Sequence, residues 1–328
     1  MKAMHGLNHL RDTSANYSNN SIVALAIVVV AAFVLMPESA LAQDFDRGLE
    51  AAEVGDYETA LEQWRPLAEE GFANAKFNLA RLYFYGLGVP RDLSEAARWL
   101  RPLAEEGDAD AQFTLGLIYS SGEGFPQDHV MAGRWYRLAA EQGHPEAQYN
   151  LGGRFLRGQG VTKDHTEAAR WYQLAAEQGL ADAQYNLGRM FYYGDGIPVD
   201  HAEAARWYRR AAEQGLADAQ NSLGFMLNNG VGLPADHVEA ARWYRSAAEQ
   251  GFAEAQFNLG IHYAQGSGVP VSLVSALMWL HIAEANGIVE AKGVREDLEA
   301  AMSSDEVSEA ERLARNCDNS EYLDCGGD

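Results

Sequence analysis

The sequence predicts an all-α solenoid of antiparallel helix pairs that stack with a 36-residue period. Three observations predict it. Six tryptophans keep one spacing, at Trp99, Trp135, Trp171, Trp207, Trp243 and Trp279. A glycine keeps the same step, at Gly71, Gly107, Gly143, Gly179, Gly215, Gly251 and Gly287. Within one unit the apolar residues follow helical spacing: Ala204, Trp207, Tyr208, Ala211 and Ala212, then Ala219, Leu223, Met226 and Leu227. One helix pair cannot bury its own apolar face, whereas stacked pairs share a continuous core.

The first 42 residues read as an export segment. Ser21 to Met36 is an uncharged apolar run. It is shorter than the roughly 20 residues of a spanning helix and suits the centre of a signal peptide. Lys2 and Arg11 precede it, and Ala40-x-Ala42 offers small residues for cleavage, which would start the mature chain at Gln43. An uncleaved membrane anchor is the alternative. No cysteine follows the run closely, which argues against a lipid anchor. Either route places the remainder outside the cytoplasm, periplasmic or secreted in a bacterium.

An opening helix around Phe45 to Ala52 looks like the second half of an incomplete unit. Pairs then begin near Tyr57, Leu93, His129, His165, His201, His237 and Ser272, with about 13 residues per helix. Asp92, Asp128, Asp164, Asp200 and Asp236 are N-cap residues, whose carboxylates accept from the first free backbone N–H groups. A glutamate three positions on completes a capping box in every case except Asp128, where Met131 stands. Gly107, Gly143, Gly179, Gly215 and Gly251 are natural left-handed stops for the first helices. Ala111, Leu115 and Gly116 recur as Ala147, Leu151, Gly152 and as Ala183, Leu187, Gly188, small residues that allow close helix crossing. Tyr119, Phe155, Phe191 and Tyr263 form a column that fills volume from the side.

The seventh pair diverges. Its second helix is expected over Val289 to Met302, and Ser303-x-x-Glu306 then caps a closing helix to about Asn316. Residues 43–316 are thus a solenoid of six regular units, a divergent seventh and a capping helix, and residues 317–328 are a polar tail. Cys317 and Cys325 enclose a nine-residue loop. In an oxidising compartment they pair as a staple worth at most roughly 2–3 kcal/mol; two free thiols in a frayed end are the alternative.

Composition narrows function. There are 47 Asp plus Glu against 25 Lys plus Arg, a net charge of -22, which repels nucleic acid and anionic lipid. Hydrophobic residues make up 47%, too many for a disordered acidic chain.

The pattern Ala-Ala-Arg-Trp-Tyr-x-x-Ala-Ala-Glu-Gln-Gly-x-x-x-Ala-Gln-x-x-Leu-Gly, with Tyr-x-x-Gly-x-Gly-Val-Pro-x-Asp after it, resembles the Sel1-like repeat family, relatives of the tetratricopeptide repeats. Ala168 to Leu187 carry the first part and Tyr83 to Asp92 the second. The resemblance covers about Phe45 to Asn316. It implies a right-handed superhelix whose concave face is lined largely by the first helices. It also implies adaptor roles in signalling, envelope assembly, polysaccharide export or host interaction. Some cysteine-rich relatives are described as penicillin-binding or β-lactamase-like and carry a disulfide in nearly every repeat. Here no cysteine precedes Cys317, which weakens that link.

Several ladders invite a functional reading. Arg98, Arg134, Arg170, Arg206 and Arg242 each precede a tryptophan. They suit carboxylates or sugar phosphates along a groove, or equally a glutamate three residues earlier on the same helix. Trp135, Trp171, Trp207 and Trp243 are required for stacking, and exposed at a groove edge they would be binding anchors. His129, His165, His201 and His237 recur once per unit. Neighbouring units lie roughly 10 Å apart, too far for one zinc ion, whose ligands sit at about 2.1 Å, so they read as surface or packing residues. Asn78, Asn150, Asn186 and Asn258 occupy an interior column of the second helices and need hydrogen-bond partners, from neighbouring backbone or from an extended ligand. The Gly-x-Gly sets follow helices and lack the strand of a dinucleotide fingerprint, and no Gly-x-Ser-x-Gly elbow occurs.

No catalytic residue, metal site or cofactor is assigned. The function expected is a non-enzymatic periplasmic scaffold that binds a protein partner through the concave face. A cell-wall or exopolysaccharide-binding scaffold is the alternative, and a β-lactamase-like or peptidoglycan-acting enzyme a more distant one. Membrane contact is expected only if the export segment is retained.

Overall fold

The computed structural model describes residues 38–124, 126–320, 322 and 325. The apolar run of the expected export segment, Ser21 to Met36, lies outside the described residues. Every described element is a helix, and residues 43–328 form one unit. The opening helix is α1 (Glu38–Glu53), longer than the sequence predicts because Glu, Ala, Leu and Gln before Phe45 all favour a helix. Six pairs follow: α2 (Tyr57–Glu69) with α3 (Ala73–Tyr85), α4 (Leu93–Glu106) with α5 (Ala109–Ser121), α6 (His129–Glu141) with α7 (Pro145–Arg157), α8 (His165–Glu177) with α9 (Ala181–Tyr193), α10 (His201–Glu213) with α11 (Ala217–Asn229), and α12 (His237–Ala248) with α13 (Ala253–Gln265). The seventh pair is α14 (Leu273–Ala285) with α15 (Val289–Ala301), and α16 (Ser304–Asn319) closes the stack. From α3 to α14, each second helix packs more extensively on the first helix of the next pair than on its own partner. The core therefore runs between units, as a solenoid requires.

The closest approach is made by a glycine against a ring. Tyr136, Tyr172, Tyr208 and Tyr244 are buried at 2–3% exposure. Each ring lies on the glycine 20 residues earlier: a Cβ added at Gly116, Gly152, Gly188 or Gly224 would sit 2.6, 3.0, 2.8 or 2.9 Å from ring carbons. The same column begins with Trp64 on Gly48 and ends with Leu280 on Gly260. That Trp64 repeats the contact against α1, and donates from Nε1 to the Phe45 carbonyl at 3.2 Å, shows α1 acting as the second helix of a truncated unit.

Helix starts follow the aspartates, with one change. Asp92, Asp128 and Asp164 each accept from two backbone N–H groups, and Asp200 and Asp236 from one. The reciprocal half of the box is not what satisfies the cap. The Asp92, Asp128, Asp164, Asp200 and Asp236 N–H groups donate to Tyr83, Tyr119, Phe155, Phe191 and Leu227 carbonyls at 2.9–3.0 Å. The glutamate of each box is thereby released for other partners. Among the described residues, only Ser303 and Glu306 form both halves, at 2.9 Å and 3.4 Å to backbone nitrogen. Gly179 after α8 has φ +97° and nothing within 4 Å of an added Cβ, so left-handed backbone alone requires glycine there.

A second spine is polar. Gln112, Gln148, Gln184, Gln220 and Gln256 are buried, and each donates to a carbonyl at the end of its own pair's first helix, 2.9–3.2 Å away. Their Oε1 atoms accept from Gln142, Gln178, Gln214, Gln250 and Asn286 of the following unit at 2.7–2.9 Å. Each rung satisfies a helix-end carbonyl and ties two units together.

The last helix extends to Asn319, past the expected end at Asn316, because Cys317 is fully buried in the core on the same face as Ala310 and Ala314. Cys317 and Cys325 form a disulfide. The Tyr322 hydroxyl accepts from Asn286 Nδ2 at 2.9 Å, and its ring lies 3.0 Å from an added Cβ at Gly251. Tyr322 thus docks on the turn that ends α12 and on the last rung of the glutamine ladder.

Candidate interaction face

Each first helix turns one stripe outward. In α8 the stripe is Thr166, Arg170, Gln173 and Glu177; in α6 it is Val130, Arg134, Arg137, Leu138 and Glu141. The fold places these stripes on successive first helices, so like residues form rows across the stack. One row is the predicted ladder Arg98, Arg134, Arg170, Arg206 and Arg242, all exposed. Another is Glu105, Glu141, Glu177, Glu213 and Glu249 at the ends of the same helices, also exposed.

The arginine ladder is partly engaged within its own helices. Arg98 pairs with Glu95 at 3.1 Å, Arg170 with Glu167 at 3.4 Å and Arg206 with Glu203 at 2.7 Å. The arginine side chains remain 63–74% exposed, so these pairs are weak and replaceable. Arg98 and Arg170 also lie over their neighbouring indoles, at 5.0 and 5.4 Å from the Trp99 and Trp171 rings. Glu239 behaves differently. Its carboxylate pairs with Arg209 of the preceding first helix and accepts from Trp243 Nε1 at 3.1 Å. The Arg209 hydrogen bond holds the Glu239 carboxyl below its ordinary range. Among the described residues no ion pair involves Arg134 or Arg242.

The tryptophans are mainly core. Trp171 and Trp207 are buried at 4% and 8% exposure, while Trp135 and Trp243 are half-buried. Among the described residues, the ladder tryptophans therefore form no continuous exposed row.

A parallel row escaped the sequence reading. Arg65 donates to the Tyr83 hydroxyl at 2.7 Å and Arg101 to the Tyr119 hydroxyl at 2.9 Å. Arg245 does the same to Tyr263, and Arg137 lies 5.5 Å above the Phe155 ring. The side column of aromatics thus serves as a seat for arginines three residues beyond the predicted ladder. The 36-residue step was legible there, but with Gln173 interrupting it the row was not singled out.

Arg154 was also missed. It is 3% exposed, in the column held elsewhere by Ile118, Met190, Met226 and His262. It donates to the His129 and Gln159 carbonyls, each at 3.2 Å, and to Ser120 Oγ at 2.7 Å, over the Tyr136 ring. Burial pulls its pKa down. A polar residue in an apolar column was the available signal. Arg154 fixes the start of α6 against the neighbouring loop.

The histidine ladder sits at the first residues of α6, α8, α10 and α12. His237 Nδ1 meets Asn228 Oδ1 at 3.0 Å, and the His201 ring lies 5.0 Å from Tyr192. Among the described residues, no group of three or more His, Cys, Asp or Glu is gathered to hold a metal ion. The asparagine column bonds internally: Asn150 to the Glu146 carbonyl at 2.9 Å, Asn186 to the Tyr149 hydroxyl at 3.4 Å, and Asn258 to Asn221 at 3.2 Å. Burial pushes the Tyr172 phenol up to about 12 and the Tyr208 and Tyr244 phenols also upward, so these rings are neutral packing groups. Where the stripe reaches α14, the ladder position is Met278, buried at 1%. A small cleft lies beside it, with Arg245, Tyr263, Trp279 and Cys325 in its lining.

Comparison with known proteins agrees with the geometry. Six consecutive Sel1 repeats match, over residues 73–108, 109–144, 145–180, 181–216, 217–252 and 253–288. The crystal structure of a protective antigen of uropathogenic Escherichia coli that displays an SLR fold is similar, at 35% identity and TM-score 0.72. The match covers 80% of this chain and 57% of that one, so the present chain spans little more than half the antigen's length. A Sel1 repeat protein from Oxalobacter formigenes is similar at 35% identity and TM-score 0.67, over 79% of this chain and 76% of that one. No curated protein matches the chain.

Proposed function

The chain belongs to the Sel1 repeat family, and on that premise we propose that it is a non-enzymatic scaffold of the bacterial envelope that binds a protein partner across its first helices. The observation that carries this reading is the pair of charged rows on that face. The arginine row is exposed and held only by weak pairs. The glutamate row is placed against the fold's own interest. Glu141, Glu177 and Glu213 end α6, α8 and α10, where the helix dipole disfavours an anion. Charges that folding does not favour, repeated in register, suit a partner with complementary charges, and the acidic exterior favours basic patches on it. The buried tryptophans speak against the polysaccharide alternative, which needs accessible rings to stack on sugars.

The export segment over residues 1–42 and a disulfide suited to an oxidising compartment support a periplasmic or secreted location. Amino-terminal sequencing of protein recovered from envelope fractions tests this, with Gln43 expected as the first residue. The functional test is affinity capture from envelope extract with the chain from Gln43. A stoichiometric protein partner is expected, and replacing Arg170 and Arg206 with Glu is expected to release it. Capture unaffected by both reversals would remove the arginine row from the contact. No partner above a bead control would shift the reading toward a glycan ligand.

A further inference from the structure

One regular first helix lacks the glutamate that its sisters carry three residues before the ladder arginine. In α4, α8 and α10 a glutamate three residues before the ladder arginine pairs with it. In α12 the same glutamate takes Arg209 and Trp243 Nε1. In α6 the residue at this position is Met131. Arg134 consequently has no carboxylate. The buried Trp135 Nε1 beside it has no acceptor, as is also true of Trp99 and Trp171 Nε1. The flanking carboxylates Glu95 and Glu167 are held by Arg98 and Arg170. The same stripe leaves apolar groups in water, with Val130 67% and Leu138 37% exposed.

We propose that this notch recognises a carboxylate, and that the partner segment seated on α6 is an acidic peptide with an apolar residue beside its Asp or Glu. The incoming carboxylate takes the place that glutamate has in the sister helices. It accepts from Arg134 and, as the flexible Met131 side chain yields, from Trp135 Nε1. The neighbouring apolar residue covers Leu138. The net charge of -22 opposes long-range encounter with an acidic chain. At physiological ionic strength, however, charges beyond about 8 Å are largely screened, so the local guanidinium group decides. This inference rests on the reading of the first-helix face as the binding surface.

The test uses the full chain and a fluorescein-labelled peptide with an Asp-Glu doublet next to Leu, together with twins carrying Asn-Gln or Lys-Lys. The decisive variant is M131E, which restores the sister residue and so preserves the fold; its melting temperature should equal or exceed that of the parent. The parent is expected to bind the acidic peptide at least about tenfold more tightly than either twin, and M131E and R134A to lose that margin. Equal binding by M131E, a preference for the Lys-Lys twin, or no binding at all overturns the inference. Envelope capture with M131E run alongside separates the two levels. A partner retained by M131E and released by the Arg170 and Arg206 reversals keeps the scaffold reading and removes the notch.

Discussion

At the scale of single residues, two kinds of glycine do different work. Gly188 is required by space, since an added Cβ would meet the Tyr208 ring at 2.8 Å and the Ala204 carbonyl at 3.3 Å. Gly188→Ala is expected to cost about 1–3 kcal/mol in urea denaturation, because a buried ring and a backbone group must both move. His262 is the clearest titrating residue. It is 4% exposed, bonded through Nδ1 to the Ser267 carbonyl at 2.7 Å, and burial lowers its pKa from the ordinary 6.5. Burial lowers the pKa of His281 in the same direction. A lowered imidazole value means that the fold prefers the neutral ring. The contribution is therefore complete above the ordinary value and is lost as pH falls below it, through the folded-state value. Melting temperature should fall between pH 7 and pH 5, and His262→Met, the residue of the sister helices at 190 and 226, should fall less. An acid response identical in the two proteins would show that His262 is not responsible. Tryptophan and glycine columns are legible in the sequence because they repeat unbroken. Arg154 is not, because one polar residue in an apolar column signals an exception without saying what it bonds.

At the scale of elements, helix starts follow from caps, and the starts of the capped first helices are legible to within a residue or two, whereas the start of α1 and the end of α16 are not. The Asp caps set the first residues of α4, α6, α8, α10 and α12, and Ser272 is itself a cap, so α14 begins at Leu273. Asp200→Ala should cost about 1 kcal/mol, since it frees the Glu203 backbone N–H. The glutamine ladder was not foreseen. Each glutamine falls in a polar position of a helical pattern, and such positions read as solvated. Only the relation between a residue and another 30 positions later reveals the rung, and that relation belongs to two units at once. Gln184→Leu should cost about 1–3 kcal/mol, because the buried Ala176 carbonyl loses its side-chain donor and the Gln214 amide keeps only the long bond to the Arg210 carbonyl. A cost no larger than that of an exposed glutamine such as Gln173 would show the rung to be incidental.

At the scale of the whole molecule, stability is a sum of units and the contacts between them. The disulfide and the docked Tyr322 close one end of that sum, so reduction should loosen α14 to α16 before the central units. Hydrogen exchange under reducing conditions should show early exposure confined to that end. The repeat period, pair order and closing helix were legible in sequence because each is written many times or carries its own cap. The face was only half legible. The arginine ladder could be listed by number, but whether it pairs with its own glutamates or meets a ligand depends on side-chain geometry. The missing glutamate at Met131 becomes meaningful only beside the pairs formed at Glu95, Glu167 and Glu203. The measurement that tests the central claim most directly is hydroxyl-radical footprinting of the chain with its captured envelope partner. The account predicts protection of the first-helix stripes, with Val130, Leu138 and Glu177 shielded and the second-helix residues Tyr85 and Tyr193 unchanged. Protection confined to the second helices would contradict it.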